Sequence, residues 1–180
     1  KGLNPVFAAA ERFSPGAAAL VNGAMIHALE MDDTHSFSSV HVGGPVVSAA
    51  LGSSFTAGAS GARFIEAVVV GYEIACRLGM AVRGANPYRR GFHPTGICGV
   101  FGAAAASGKI LGLAPRGHLS AWGIAGSMAS GLMAYLQNGA WTKKLHPGIA
   151  AKSGLLASSL AGEGYLGPDD IFLGKYGFCR

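Results

Sequence analysis

Charge is scarce in this chain. Of its 180 residues only 14 are Lys or Arg and 9 are Asp or Glu, so 13% are charged. That is about half the usual share for a soluble protein. The basic side chains are scattered, and only Arg89-Arg90 and Lys143-Lys144 are adjacent. No basic stripe interleaved with aromatics occurs, so no nucleic-acid partner is expected. Cysteine is equally sparse: Cys76, Cys98 and Cys179 are odd in number and lack metal-type spacing. They read as buried thiols rather than a disulfide framework. Period-two alternation does not persist anywhere, and no Gly-x-Ser-x-Gly elbow is present. These absences argue against strands and against a serine nucleophile. No signal-peptide pattern is visible, and the expected compartment is the cytoplasm.

What is abundant is apolar and small. Half of the residues are hydrophobic and 29 are Gly, more than twice the usual glycine share of about 7%. Small residues let helices approach closely. Residues 1–13 carry little pattern and are expected to form a connector. Ser14-Pro15 then signals a helix start, and the run Gly16 to Asp33 predicts a helix with His27, Glu30 and Thr34 on one face. Further helices are predicted over Pro45 to Ala57, from Ser60-Gly61 to Arg83, and over Pro94 to about Leu111. Two more are predicted from Pro115 through Trp122 and Met128 to Tyr135, and from Pro147 to about Gly162. Val68-Val69-Val70 alone would suggest a strand, but the surrounding apolar pattern is too long for one. Gly84 to Gly91 reads as a polar loop. Asn138-Gly139 reads as a break before a short loop carrying Lys143 and Lys144, and the tail around Asp169 to Leu173 as a capped helical turn. The fold class is all-α.

Ser38 to Ala62 and Gly117 to Thr142 contain no Asp, Glu, Lys or Arg, and each is long enough to raise a membrane span. Their interruptions by Gly, Ser, Gln, Asn and Pro45 favour buried helices of a soluble core instead. No membrane partner is expected.

Against this apolar background the stretch from His27 to Gly44 gathers Glu30, Asp32 and Asp33 with His27, His35 and His41. Ionisable groups are costly to bury unless paired or used. Two later stretches look built to meet it: Gly91 to Gly96, containing His93, and Lys143 to Gly148, containing Lys144 and His146. His93 precedes one predicted helix N-terminus. Lys143, Lys144 and His146 precede another, where free N–H groups favour an anion. Two such helix starts make a clamp for a di- or tricarboxylate, weighed against solvated lysines and a capping or core His93. For the acidic cluster three readings stand side by side. They are a metal site from Asp32, His35 and His41, a structural network of acids, and acid–base chemistry centred on histidine.

Several stretches resemble the MmgE/PrpD family, which includes 2-methylcitrate dehydratase, cis-aconitate decarboxylase and iminodisuccinate epimerase. They are Ala19 to Gly23, His27 to Thr34, Val69 to Glu73, Gly91 to Gly96, Gly102 to Ala106, Leu111 to Leu113 and Lys143 to Gly148, in one order along the chain. The resemblance implies a large helical domain that forms homodimers, completed by a smaller α+β domain expected to be absent from these residues. On that basis residues 1–180 are expected to be a fragment of the helical domain, without the catalytic residues of the second domain. It implies no metal and no organic cofactor, and a small acidic substrate as partner. The function it implies is a lyase, dehydratase or decarboxylase, acting on a di- or tricarboxylate such as 2-methylcitrate or cis-aconitate. The alternatives are an epimerase of an acidic substrate or a noncatalytic dimerisation scaffold. By motif, the site residues are Glu30, Thr34, His41, His93 and Lys143. His41, His93 and Lys143 are the expected catalytic groups, and Glu30, Thr34, Lys144 and His146 the expected substrate-binding ones. The family usually has Asp at the place of Glu30, and His-Pro-Gly or His-Pro-Ser at the place of His41-Val42-Gly43. Both departures bear on the substrate more than on the reaction class.

Overall fold

Serine caps open two of the helices. A computed structural model of the chain describes residues 2–83 and 86–180. Lys1, Gly84 and Ala85, which open the expected connector and the expected polar loop, lie outside the described residues. Helix α1 spans Pro15–His27, and Ser14 Oγ accepts a bond from the Ala17 N–H at 3.4 Å. Helix α2 covers Gly43–Ala57 and α3 covers Gly61–Val82, where Ser60 Oγ caps the Arg63 N–H at 3.3 Å. Helices α4 (Pro94–Leu111), α5 (Pro115–Gly126) and α6 (Thr142–Gly162) complete the set. The expected connector holds a small hairpin instead: β1 (Asn4–Pro5) pairs antiparallel with β2 (Arg12–Phe13). These strands are too short to show alternation. The buried Asn22 side chain of α1 pins them by accepting from Phe7 N and donating to Pro5 O.

Helix α4 is the axis of the fold. Every residue from Pro94 to Gly108 is buried, and α2, α3, α5 and α6 all pack on it. A helix apolar on all sides belongs in a core. Its small residues set how near the neighbours come. A Cβ at Gly102 would lie 2.7 Å from Gly71 O and 2.8 Å from Ala75 Cβ, so α3 and α4 touch backbone to backbone. The α1–α6 contact is similar: a Cβ at Gly23 would lie 2.7 Å from the Gly148 Cα. Across α4 and α6, Ser158 Oγ donates to Ala104 O at 2.7 Å. At the far end of α4 the Arg63 guanidinium donates to Ile110 O and Lys109 O, satisfying carbonyls that the helix leaves free.

Three helix limits differ from the sequence expectation, each for a local reason. Helix α1 stops at His27 rather than Asp33. Glu30 takes a left-handed φ of 54°, so His27, Glu30 and Thr34 do not share a helix face. The acids that follow take other partners: Asp32 turns back onto His27, and Asp33 Oδ1 accepts the Gly43 N–H that opens α2, at 2.9 Å. Such side-chain bonds compete with helix continuation. Helix α5 stops at Gly126 rather than Tyr135. Gly131 then adopts φ 134°, open essentially to glycine alone, and Met133–Gln137 form a separate 3-10 turn. Helix α6 begins at Thr142 rather than Pro147, which puts Lys143 and Lys144 in its first turn and not in a loop. Pro147 is held inside the helix, and its ring fills the space left by Gly44. In the tail, Asp169 to Leu173 form turns rather than a helix, with Asp170 Oδ1 accepting the Leu173 N–H. Among the described residues no helix is long and apolar enough to cross a membrane.

The packing contacts predict opposite effects for two glycine substitutions. Gly102→Ala should destabilise the fold by about 1–3 kcal/mol, the usual cost of overpacking a filled core. Gly61→Ala, where a Cβ meets nothing within 4 Å, should be neutral or stabilising by up to about 1 kcal/mol. Chemical denaturation of both variants checks the contrast, and equal effects would contradict the close α3–α4 contact.

Candidate active site

The shortened α1, the 3-10 turn and the early start of α6 converge on one end of α4. Between them lies an open cleft of about 580 Å³, lined by Glu30, His41, His93, Tyr135, Trp141 and Lys143 among others. That size falls within the range of roughly 300–1,000 Å³ typical of small-molecule sites.

His93 is the residue just before α4, and its N–H donates to Gly131 O at 2.8 Å. It is only 2% exposed. Its Nδ1 lies 3.1 Å from Nδ1 of His146, so one ring donates and the other accepts. Burial first, then the neighbouring His146, His27, Lys143 and His41, push its pKa down to about 3. His93 is therefore neutral at pH 7. His146 is buried inside α6, behind His93, and is absent from the cleft lining. Burial and His27 lower its pKa as well. Gly131 leaves room for this pair, since a Cβ there would lie 3.2 Å from the His146 Nδ1.

His41 reaches the cleft from the loop between α1 and α2. Its N–H donates to Thr95 Oγ1 at 3.0 Å, which ties that loop to the start of α4. Its Nδ1 lies 3.1 Å from Thr34 Oγ1 and 3.5 Å from Asp32 Oδ1. Thr34 thus stands behind His41 and is not part of the lining. Burial lowers the His41 pKa; Asp32 opposes that effect, and His27 and Lys143 add to it.

The cations come from α6. Lys143 Nζ bonds Glu30 Oε2 at 2.5 Å across the cleft. This bond holds the Glu30 carboxyl below its ordinary range. The left-handed turn at Glu30 is what brings its side chain over to α6. Lys144 also lines the cleft, with its ammonium 5.3 Å from the centre of the Trp141 ring. Of the two expected helix starts, that of α6 carries the lysines in its first turn, and that of α4 is preceded by the neutral His93.

The sequence offered Asp32 only as a metal ligand and gave His27 no catalytic role, and the structure places the two together behind His41. His27 is fully buried, with Nδ1 2.8 Å and 3.0 Å from the two Asp32 oxygens. The available signal was an acid placed just past a helix end that carries a histidine. Tyr135 was also missed, because the sequence placed it in a helix; its ring centre is 6.2 Å from that of His93. Ligand atoms of His27, Asp32 and His41 lie within 4.8 Å of one another, close enough for a divalent cation. In the proposed metal set His27 replaces His35, whose Nδ1 bonds Ser38 Oγ at 2.8 Å. The carboxylate can only accept, so in this pairing the His27 Nδ1 is the donor and is occupied by Asp32.

Comparison with known proteins finds relatives over nearly the whole chain. A cis-aconitate decarboxylase-like protein of Aspergillus oryzae is 39% identical over 173 residues, covering 92% of this chain and 36% of that protein. The cis-aconitate decarboxylase of Aspergillus terreus is 36% identical over 172 residues, covering 93% and 35%. The Homo sapiens cis-aconitate decarboxylase is 37% identical over 171 residues, again 93% and 35%. The chain therefore spans about a third of the length of these relatives. The MmgE/PrpD N-terminal domain description matches residues 1–180, and the chain belongs to the MmgE/PrpD family.

Proposed function

We propose that this chain supplies the imidazole and ammonium groups of a lyase that decarboxylates a tricarboxylate of the cis-aconitate type. The observation that carries the reading is the Glu30–Lys143 contact. A carboxylate already sits on Lys143 beside neutral imidazoles, in the place where a substrate carboxylate would bind. An exposed ion pair of this kind contributes only about 0.2–1 kcal/mol, so it yields readily to a competing carboxylate. Exchange of Glu30 for a substrate carboxylate would keep Lys143 paired while bringing the anion against His41. The relatives named as cis-aconitate decarboxylases favour this substrate class over other acids.

In decarboxylation the bond from carbon to the departing carboxylate breaks and CO2 leaves. The electron pair stays on the remaining carbon skeleton, spread toward a neighbouring carboxylate held by Lys143. Fixed cations in a water-poor site stabilise such developing charge. A proton must then reach the carbon. His41 is the best carrier: His93 is too weak a base, and His146 is shielded behind it. An incoming anion raises the pKa of a nearby imidazole, so His41 takes up a proton as substrate binds and hands it to the carbon. A second reading, proton abstraction by a dehydratase or epimerase, is favoured by the neutral resting state of His41, which suits a base.

The direction of the pH dependence separates the two. Decarboxylation needs the imidazolium, so kcat/KM should fall as pH rises through the free-enzyme pKa of His41, which lies below the ordinary histidine value. In proton abstraction kcat/KM should fall as pH drops through that same value. Initial rates of the intact protein on cis-aconitate and on 2-methylcitrate, followed by NMR across pH 5 to 8, decide it. Recovery of both acids unchanged would contradict the lyase reading.

Substitutions test the roles separately. His41→Ala should lower kcat by about 10²–10⁴-fold, the usual contribution of a positioned acid or base. Lys143→Ala should lower kcat/KM by roughly 10- to 100-fold through loss of one charged bond. Unchanged turnover in both variants would remove these residues from the chemistry.

A further inference from the structure

Two groups in this region touch neither the cleft nor solvent and have no role in the steps above. His27 is 0% exposed and the Asp32 side chain 3%. A carboxylate can only accept, so the His27 Nδ1 that faces both Asp32 oxygens is the nitrogen that carries the proton. Asp32 Oδ1 also lies 3.5 Å from the His41 Nδ1, and the His27 and His41 rings meet edge to face with centres 4.6 Å apart. His41 Nδ1 therefore faces two oxygens, Asp32 Oδ1 and Thr34 Oγ1.

We infer that Asp32, anchored from behind by the Nδ1–H of His27, is a positioning residue that fixes the tautomer and the ring orientation of His41. With its Nδ1–H turned toward the carboxylate and the threonine, His41 keeps the Nε2 lone pair for the cleft. A buried carboxylate behind a histidine does this in acid–base sites of several folds, stabilising the imidazolium without itself taking the proton. The inference rests on the reading of His41 as the proton carrier, although the tautomer can be measured without any substrate. The titratable groups facing His41 are Glu30, Asp32 and Asp33 from its own loop, His27 from α1, His93 at the start of α4 and Lys143 from α6. Of these, Asp32 has the strongest effect favouring the protonated ring.

Ring-nitrogen NMR of the 15N-labelled chain reads both properties directly. In the unaltered chain His41 should be the Nδ1–H tautomer, and the Nε2–H form would overturn the inference outright. Asp32→Asn should move the His41 titration midpoint downward and mix the tautomers. The His118 ring, away on α5, should keep its own signals and so report an intact fold. A folded Asp32→Asn chain with His41 unmoved would also overturn the inference. If Asp32→Asn does not fold, the spectrum of the unaltered chain decides. In the intact protein Asp32→Asn should lower kcat by on the order of 10²-fold with little change in KM, and Asp32→Glu should recover part of that loss. A shifted His41 tautomer in a protein that converts no carboxylate would uphold the positioning role and overturn the proposed function instead.

Discussion

Backbone-to-backbone packing around α4 is the constraint on which the rest of the structure depends. Where Gly71 meets Gly102 and Gly23 meets Gly148, neighbouring helices come closer than any Cβ would allow. At the first turn of α4 the same closeness recurs, where a Cβ on Gly96 would run into the Ser130 carbonyl and one on Gly131 would press on the His146 ring. Since interiors are packed like organic crystals, the imidazoles of His93 and His146 at this end have little room for hydration. Their desolvation, more than any single charge, lowers their pKa values. The glycine-rich composition and the chemistry of the cleft thus share one physical cause.

The sparse charge has a complementary effect. Low charge content leaves few partners for the ionic groups near the cleft, so each has a definite one. Glu30 meets Lys143, Asp32 meets His27 and His41, and Asp33 holds the start of α2 and lies beside Tyr72. Burial and Asp33 together raise the Tyr72 pKa, so that phenol stays neutral. A cleft assembled this way presents the Lys143 and Lys144 ammonium groups against neutral rings, an arrangement that suits an anion better than a cation. The same pairing explains why α1 ends early, since each acid past His27 has a bonding partner that a continued helix would have denied it.

Much of this was legible in the sequence where the signal was local. Ser14-Pro15, Ser60 and Pro94-Thr95 marked true helix starts, and the long Val-rich pattern of α3 outweighed its β propensity as expected. The gathering of His27 to Gly44, Gly91 to Gly96 and Lys143 to Gly148 at one place was also foreseen from their composition. What could not be read were features set by contacts distant in sequence. Pro147 looked like a helix start, but the void at Gly44 holds it inside α6. Tyr135 looked helical, but the left-handed Gly131 turns it toward His93. The histidines looked alike in sequence, and burial, helped by neighbouring cationic groups, separates His93, near pKa 3, from an ordinary surface imidazole.

The central claim is that His93 is held neutral by burial, and proton linkage tests it most directly. Its folded pKa lies below the unfolded value of about 6.5, so the unfolded state binds the extra proton between those values. Stability should therefore fall as pH drops below about 6.5, and between pH 7 and 5 this one group accounts for about 2 kcal/mol of the loss. Urea unfolding at both pH values, compared with His93→Asn, isolates that share from the other titrating groups. The account predicts that the variant loses about 2 kcal/mol less than the unaltered chain over this interval. Equal losses in the two proteins would mean that His93 titrates like an exposed histidine, and would contradict it.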